Sequence, residues 1–388
     1  MRTFGVEEEF LLVDPADGTP LPLGQAVFDL GVDDRITREI KQEQIETGTR
    51  PHDNARDLAL DVAHCRAMTD NAAMRAGARA AALATSPRPA LPACTRGTRY
   101  EEMDLRFAIT SKEQLTCGCH VHVSVEDDDE GVAVLDRIRV WLPVLIALSS
   151  NSPFWNGTDT GYSSYRWQAW SRWPMAGPSE IFGTAENYHA LVESLLDCAV
   201  PLDLGQIYFD ARLSHNHPTV EIRVGDVCLY SDDAVLLALL TRGLVETAAR
   251  EWRQGIPPRP MPAAKLRLAY WRASRFGMDD DLLHPVTDVP QDASTVALAL
   301  LRYVRPALAD MGDAEITESL LRQVIARGTG CHRQRASLQC GDLSDVVSDA
   351  VRITNLARGT IAEFPEAAPR DVRPQPLARI AHNYSDWS

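Results

Sequence analysis

The segment Gly5–Val13 is an apolar run that carries three consecutive glutamates, and it constrains the fold more than any other stretch of the chain. Successive side chains of a β-strand point to opposite faces, so Glu7 and Glu9 share one face and the apolar side chains share the other. Neighbouring carboxylates repel each other and resist desolvation unless a cation lies between them. We therefore predict a core strand with an acidic face. Taken alone, this segment could instead be a solvent-facing edge strand with ordinary surface charge. Glu8 falls on the core face of the predicted strand, and only a salt bridge at the strand end would account for a charged residue there.

The segment 115–125 has a second alternating pattern. As a strand it places Cys117 and Cys119 on one face and His120 and His122 on the other. The thiols then face an apolar layer and the imidazoles face the same kind of polar surface as the glutamates.

Two further segments repeat this division into one polar and one apolar face. Residues 38–49 are predicted as a strand from a weak alternation, and residues 205–213 and 219–226 as the two arms of a hairpin. The side chains predicted on the polar face are Gln42, Gln44 and Glu46 from the first segment and Asp210, Arg212, Glu221 and Arg223 from the hairpin.

Because each strand is apolar on its other face, the simplest fold is an α+β protein in which helices cover one face of an antiparallel sheet and leave a polar cleft on the other. Apolar periodicity predicts helices over 54–84, 132–149, 179–196, 231–254, 263–276, 294–310, 313–327 and 344–363, followed by a Pro/Arg-rich tail. We expect residues 1–388 to form one compound catalytic domain, with a sheet core in 1–255 and a mostly helical part in 256–388.

Composition excludes several classes of function. The formal net charge of −15 and the absence of a basic cluster argue against nucleic acid or an anionic membrane as a partner. The lysines are Lys41, Lys112 and Lys265, and none follows a glycine, which excludes a Gly-Lys-Ser/Thr phosphate loop. Without a signal peptide or an apolar membrane span, the protein is expected in the cytoplasm, with its eight cysteines reduced.

The polar faces together offer mostly carboxylate oxygens, which suit Mg²⁺ or Mn²⁺ better than zinc, and such ions normally act on phosphates. The candidate metal ligands are Glu7, Glu9, Glu46, His120 and Glu221. Arginines on the same face would hold a phosphate or a substrate carboxylate. Two alternatives stay open: a zinc-dependent hydrolase that uses His120, His122 and a glutamate, and a non-catalytic small-molecule binder on the same scaffold.

Outside the strands, the long aromatic segment 151–178, which contains Tyr162 and Arg166, has the length and composition of a binding loop or lid. Its tryptophans are expected to pack rather than to stack on a base. The Gly-rich segment 327–335 is first a helix C-cap and secondly a phosphate-contacting loop that includes Arg335. Arg275, at the end of a predicted helix, could reach the cleft.

Five motifs occur in order between about residues 3 and 380: Gly-Val-Glu-Glu-Glu-Phe, Glu-x-x-Glu-Thr, Gly-Cys-His-Val-His-Val-Ser, Ser-Tyr-Arg-Trp and Thr-Val-Glu-Ile-Arg-Val-Gly-Asp. As a set they resemble the carboxylate–amine ligases of the glutamate–cysteine ligase type 2 family. The resemblance implies a sheet-cleft enzyme, related to glutamate–cysteine ligases and distantly to glutamine synthetase, that uses ATP and Mg²⁺ or Mn²⁺ to join a carboxylate to an amine through an acyl phosphate.

By motif position, the family's metal-binding residues fall on Glu7, Glu9, Glu46, His120 and Glu221, and an arginine of its substrate and phosphate site falls on Arg223. We assign Arg212 with Arg223 to catalysis, Arg275 and Arg335 to nucleotide binding, and Tyr162, Arg166 and His122 to substrate binding. Because more distant ligases carry a different polar residue where His122 stands, the second substrate is not fixed. The expected partners are a small carboxylate, glutamate by default, and a small amine, cysteine by default. A homodimer is an open option for the assembly.

Overall fold

The computed structural model describes residues 1–356 of the chain. Its strands are β1 (Phe4–Val13), β2 (Ile36–Arg38), β3 (Gln44–Gly48), β4 (Arg79–Ala81), β5 (Gly118–Ser124), β6 (Phe154–Trp155), β7 (Thr158–Asp159), β8 (Ala211–Leu213), β9 (Thr219–Asp226), β10 (Asp281–Leu283) and β11 (Pro290–Asp292). Seven of them form one antiparallel sheet in the order β2-β3-β1-β5-β9-β8, with β4 pairing with β1. The predicted antiparallel α+β fold is therefore confirmed.

Helices account for most of the remaining chain. They are α1 (Gly24–Asp29), α2 (Ala55–Arg75), α3 (Thr98–Phe107), α4 (Ile109–Lys112), α5 (Asp128–Ile138), α6 (Leu142–Ser149), α7 (Tyr165–Trp170), α8 (Ala185–Asp197), α9 (Ser231–Arg253), α10 (Ala263–Phe276), α11 (Ala293–Met311), α12 (Ala314–Arg327), α13 (Gly330–Cys340) and α14 (Leu343–Thr354). None of the described helices is both long and apolar enough to cross a membrane.

One face of the sheet forms the core. Helix α9 packs against β1 and β5, α6 packs against β9, and α2 packs against β1 and β3. The side chains that β1, β5 and β9 turn toward these helices, such as Val6, Val121 and Ile222, are buried. Burial of each such side chain stabilises the fold by about 1.5–3 kcal/mol. The polar face of the same strands therefore points away from these helices.

Two predicted helices and one predicted strand have bounds in the structure that differ from those expected. The helix predicted over 54–84 ends at Arg75, because Gly77 adopts a left-handed φ of 89° and the chain then enters β4. The helix predicted over 132–149 is two helices, and Pro143 lies in the first turn of the second, where its missing N–H costs no hydrogen bond. The strand predicted over 38–49 is interrupted, so that Gln42 lies in the turn between β2 and β3.

The hairpin and the C-terminal part also differ in detail. The first hairpin arm is limited to β8, since residues 204–206 form a short helical turn instead of a strand. The helix predicted over 179–196 begins only at Ala185. Helix α13 was not predicted; Gly328, with a φ of 84°, ends α12 as expected of a C-cap, and Thr329 then caps α13. The helices predicted from 231 to 327 are confirmed to within a residue or two. Residues 357–363 of the last predicted helix, and the tail, lie outside the described residues.

Candidate active site

Four strands of the sheet place acidic and imidazole side chains side by side on the polar face. The register pairs Glu9 with Glu46, Glu7 with His120, and His122 with Glu221. Residues directly opposite each other on antiparallel strands project from the same face with their Cβ atoms about 5 Å apart. The alternation along each strand and the pairing between strands therefore bring the five predicted metal ligands and His122 into one cluster.

Within this cluster three overlapping groups bring ligand atoms to within 4.8 Å of one another. The groups are Glu7 with Glu46 and His120, Glu7 with His122 and Glu221, and Glu9 with Glu39 and Glu46. Glu7 and Glu46 each belong to two groups, so the ligand atoms form a continuous row across the sheet.

Glu39 was not among the predicted ligands. It directly follows β2, whose Thr37 is paired with Glu46, and continuing the strand alternation by one step places Glu39 on the polar face with Thr37. That step was the available signal. One long strand through Gln42 and Gln44 would place Glu39 on the opposite face. In the structure, however, Gln42 bonds the Cys94 carbonyl in a turn and Gln44 is buried against the Thr116 carbonyl.

The charges of this cluster shift the pKa values of its members. Burial raises the pKa of Glu39 to about 8, with a further contribution from the carboxylate of Glu9. Burial and the nearby carboxylates of Glu39 and Glu7 raise the pKa of Glu46. Burial is outweighed at Glu7, whose pKa is lowered by the His122 charge and by contacts with both imidazoles. The raised pKa values mean that ionising Glu39 and Glu46 in this buried site costs free energy, and a bound cation would offset that cost.

The two histidines differ in environment although they lie two residues apart. His120 is buried, with Nδ1 3.6 Å from Glu7 and Nε2 3.6 Å from Glu9, and its pKa is lowered by burial and by the Arg223 charge. His122 Nε2 lies 3.3 Å from Glu7, and its pKa is raised because Glu7 outweighs burial. The Nε2 atoms of both rings are buried and form no well-aligned hydrogen bond, although each lies beside one of these carboxylates.

Both predicted catalytic arginines contact Glu221. Arg212 Nε donates a 2.7 Å hydrogen bond to Glu221 Oε2, and Arg223 Nη1 donates to Glu221 Oε1. Arg212 also donates to the carbonyls of Gly205 and Ile207, whereas Arg223 Nε is buried without a partner. Although burial opposes ionisation, these positive charges lower the pKa of Glu221, and Glu221 in turn raises that of Arg223.

Arg166, predicted to bind substrate, closes one end of the polar face. It projects from α7 toward Gly118 and His120, and both Nη atoms lie 3.4 Å from the Arg223 carbonyl. A Cβ at position 118 would collide with the Arg166 guanidinium and the His120 ring, so a larger residue there would displace these two side chains. The buried carboxylate of Asp226 fixes the approach of this segment by accepting hydrogen bonds from Asn151 N and from the Ser152 and Ser164 hydroxyls.

The predicted residues Tyr162, Arg275 and Arg335 are brought together in a second cluster. Arg275 donates to the Gly161 carbonyl and lies 5.5 Å from the Tyr162 ring centroid. Arg335 binds Asp159 at 2.7 and 3.0 Å and the Tyr162 carbonyl at 2.9 Å. These contacts anchor the β6–β7 segment to α10 and α13, and none of them involves the acidic cluster.

Aromatic side chains border the acidic cluster on the side of α3 and α7. Trp173 and Tyr208 are buried against each other, and Trp170 lies 4.7 Å from the Tyr208 ring. Burial, with the Glu39 charge as a further contribution, raises the pKa of the Tyr208 hydroxyl to about 12. The tryptophans of this segment therefore pack on neighbouring aromatic rings, as the sequence analysis expected.

Two sequence-based assignments need correction or refinement. Asp210 was expected beside Arg212 on the polar face, but its carboxyl lies near Trp167, Arg166 and Arg267, between the sheet edge and α10. Residue 210 precedes β8, so strand alternation does not govern where its side chain points. Cys119 is buried on the core side, as predicted. Cys117 precedes β5, and its buried thiol instead accepts a hydrogen bond from Gln44 Nε2 and lies near Glu9 and Arg166. None of the described groups of candidate ligands contains a cysteine.

The family model described as glutamate-cysteine ligase family 2 matches residues 3–362. This chain belongs to glutamate–cysteine ligase family 2. A protein of Paenarthrobacter aurescens (strain TC1) named "Putative glutamate--cysteine ligase 2-1" is 49% identical over 92% of this chain and 95% of its own length. A protein of the same name from Streptomyces avermitilis is 50% identical over 91% of this chain and 99% of its own length.

Two solved structures share the fold. A glutamate–cysteine ligase from Francisella tularensis in complex with AMP has a TM-score of 0.65 at 15% identity, over 91% of this chain and 88% of that one. A bifunctional glutathione synthetase from Pasteurella multocida has a TM-score of 0.66 at 14% identity, over 91% of this chain and 52% of that one. The family match confirms the resemblance drawn from the motifs and the prediction of an ATP-dependent carboxylate–amine ligase.

Proposed function

We propose that this family member forms an amide by phosphorylating a carboxylate substrate with ATP and then letting an amine displace the phosphate, with release of ADP and phosphate. The observation that carries the proposal is the row of three overlapping ligand groups on one face of the sheet, with two arginines at its edge. Phosphoryl transfer needs charge neutralisation and alignment rather than a protein nucleophile, and this face offers both.

The residues fit divalent cations of the Mg²⁺ or Mn²⁺ type. Most donors are carboxylate oxygens, which hard cations prefer, and the buried imidazoles of His120 and His122 add nitrogen ligand atoms to the same groups. We propose Glu7, Glu9, Glu46, His120 and Glu221 as the ligands, with Glu39 added. Bound divalent cations would neutralise the phosphates of ATP and the charge that develops during transfer.

The chain's own residues then have distinct roles in this proposal. Arg223 presents a planar fork of donors at the edge of the acidic cluster and orients the transferring phosphoryl group or the substrate carboxylate. Arg212 holds Glu221 in place through their hydrogen bond and contributes a second positive charge. Arg166 and His122 are the proposed substrate contacts at the two ends of the polar face.

We propose that Arg275 and Arg335 contact the nucleotide and that Tyr162 contacts the substrate. All three lie where the β6–β7 segment is anchored to α10 and α13. Arg335 is paired with Asp159, and Arg275 donates to the Gly161 carbonyl, so nucleotide binding would require these contacts to be exchanged or shared. Glutamate and cysteine are the default substrate pair, supported by the names of the relatives.

The two other functions receive less support. A catalytic zinc ion is typically held by three protein ligands, most of them histidine or cysteine. The ligand atoms here are mostly carboxylate oxygens, and they are spread over three groups. Zinc held in stoichiometric amount after extensive dialysis would nevertheless favour it, because Mg²⁺ sites of this kind exchange freely. A non-catalytic binder is not favoured, because family membership indicates a ligase.

The reaction products test the proposal. Incubating the protein with ATP, Mg²⁺ and a panel of carboxylates and amines is expected to yield ADP and phosphate only when a carboxylate and an amine are both present, or slowly with the carboxylate alone. The acyl phosphate explains this dependence, because without an amine it is lost only by slow hydrolysis. Nucleotide products are separated and quantified for each pair. Formation of AMP and pyrophosphate would contradict the acyl-phosphate route.

Asp210 leads to a separate prediction about stability. Burial raises its pKa to about 7, far above its usual value, so the fold favours the neutral carboxyl. The contribution of a group with a raised pKa is fully present below the unfolded pKa and is lost as the pH rises through the folded pKa. At about pH 4 the Asp210→Asn variant is therefore expected to unfold at the same temperature as the wild type. At about pH 8 it should unfold at a higher temperature, because its free energy of unfolding exceeds that of the wild type by about 1.4 kcal/mol per unit of pKa shift. Melting curves at both pH values check this, and a pH-independent difference would contradict it.

A further inference from the structure

Glu8, the middle residue of the three consecutive glutamates, forms a buried ion pair on the core side of the sheet. Its carboxylate oxygens accept hydrogen bonds from Arg66 Nη2 at 2.5 Å and from Arg66 Nε at 2.9 Å. Both side chains are about 2% exposed, and Arg66 belongs to α2. Glu8 lies in the middle of β1 rather than at its end, so the expectation of a salt bridge at the strand end was wrong in position.

The same guanidinium also reaches the end of β9. Arg66 Nη2 donates to the Cys228 carbonyl at 2.6 Å, and Nη1 donates to the Leu229 carbonyl at 3.0 Å. These residues directly follow β9, which is separated from β1 in the sheet by β5. One side chain therefore joins β1, α2 and the end of β9 across the back of the intervening strand.

The two strands joined in this way supply the acidic cluster on the opposite face. Glu7 and Glu9 flank Glu8 on β1, and Glu221 lies on β9. The group formed by Glu7, His122 and Glu221 needs ligand atoms from β1, β5 and β9 within 4.8 Å. A site of this kind tolerates displacements of only about 0.5 Å, so its geometry depends on what fixes β1 relative to β9.

Stability alone does not account for the pair. The free-energy cost of removing two charges from water is about as large as the stabilisation from their attraction. Buried ion pairs can therefore often be replaced by apolar residues of similar volume without loss of stability. An apolar pair here would fill the space, but it would not bind the carbonyls of Cys228 and Leu229.

We propose that Glu8 and Arg66 are positioning residues that hold β1 and the end of β9 in the relative placement required by the acidic cluster. Neither touches substrate or nucleotide; they act through Glu7, Glu9 and Glu221. This inference rests on the proposed metal-dependent function of the cluster.

The test compares metal affinity with stability in nucleotide-free protein. The principal variant is the double substitution Glu8→Leu with Arg66→Met, which removes both charges together and leaves no unpaired buried ion. Mn²⁺ binding is followed by the loss of the free-ion signal in electron paramagnetic resonance, and unfolding by a melting curve. We expect the double variant to fold, with a melting temperature lowered by the loss of the two carbonyl hydrogen bonds. We expect it to bind Mn²⁺ at least about tenfold more weakly, the loss typical when a residue that orients metal ligands is removed.

Two further variants complete the design. Arg66→Lys keeps the charge, but its three donors cannot replace the four hydrogen bonds that Arg66 makes to Glu8 and the two carbonyls. It is therefore expected to lose Mn²⁺ affinity in the same direction, and it decides the question if the double variant does not fold. Asp313→Asn breaks another buried ion pair, with Arg242, whose partners lie outside the acidic cluster, and should leave Mn²⁺ affinity unchanged.

The results that would overturn the inference are distinct from those that would overturn the proposed function. Wild-type affinity in the folded double variant, or an equal loss in Asp313→Asn, would show that the pair has no specific effect on the cluster. Absence of Mn²⁺ binding in the wild-type protein would instead refute the proposed metal site, and the inference with it.

Discussion

Glu7→Gln is expected to fold normally and to lose at least about three orders of magnitude in turnover, corresponding to about 4 kcal/mol of transition-state stabilisation. Glu7 belongs to two of the three ligand groups, so replacing it removes a carboxylate from both. The substitution also relieves repulsion with Glu46, whose pKa is raised in part by Glu7, and this relief should help to preserve stability. Steady-state ADP release as a function of Mg²⁺ concentration, measured beside a melting curve, checks both expectations.

Glu315→Gln is the matched control for this variant. Glu315 is exposed on α12, outside the acidic cluster, so the same chemical change should leave turnover and the Mg²⁺ requirement unaltered. A stable Glu7→Gln protein with near-normal turnover and an unchanged Mg²⁺ requirement would remove Glu7 from the site.

Arg223→Lys is expected to fold and to bind ATP, yet to lose about 10²–10³-fold in turnover, or about 3–4 kcal/mol. Lysine keeps the positive charge beside Glu221 but lacks the planar fork that can hold a phosphoryl group or a carboxylate through two parallel hydrogen bonds. The unpartnered Nε of Arg223 is consistent with a donor that is reserved for a ligand.

The competing explanation is that Arg223 only neutralises Glu221, which it contacts directly. Lysine would then substitute with little kinetic effect, because the ion pair requires only a charge. Turnover and the KM for ATP distinguish the two explanations when a melting curve shows that the variant is folded. Arg322→Lys, a substitution in an exposed pair with Glu318 on α12, controls for the general effect of replacing arginine with lysine.

Strand periodicity was enough to predict the faces of β1, β5 and β9, because one buried face enforces alternation along a regular strand. It failed where the backbone leaves the strand. Asp210 precedes β8, and only the folded chain shows that its carboxyl leaves the polar face. Glu39 keeps the alternation of β2, but the break in the chain between β2 and β3 hid it within one long predicted strand.

Tertiary partners were outside the reach of the sequence. Arg66 lies in an Ala/Arg-rich helix, where an arginine ordinarily faces solvent, and nothing local indicates that it binds Glu8 from 58 positions away. The clustering of Tyr162, Arg275 and Arg335 likewise depends on how α10 and α13 pack around the β6–β7 segment. Their individual assignments came from a long aromatic loop, the end of a predicted helix and a Gly-rich segment, and these roles stay predictions.

The division of the central sheet into a chemical face and a packing face has a consequence for protein engineering. A library that randomises His122, or other cleft positions on β5, should leave the core largely undisturbed, since their neighbours along the strand are the residues that pack on the helices. Insertion or deletion of a single residue within β1 is a different matter, because it would turn Glu7 and Glu9 into the core and Glu8 into the cleft. We therefore expect this strand to accept exchanges of residue type at selected positions and to reject changes of length.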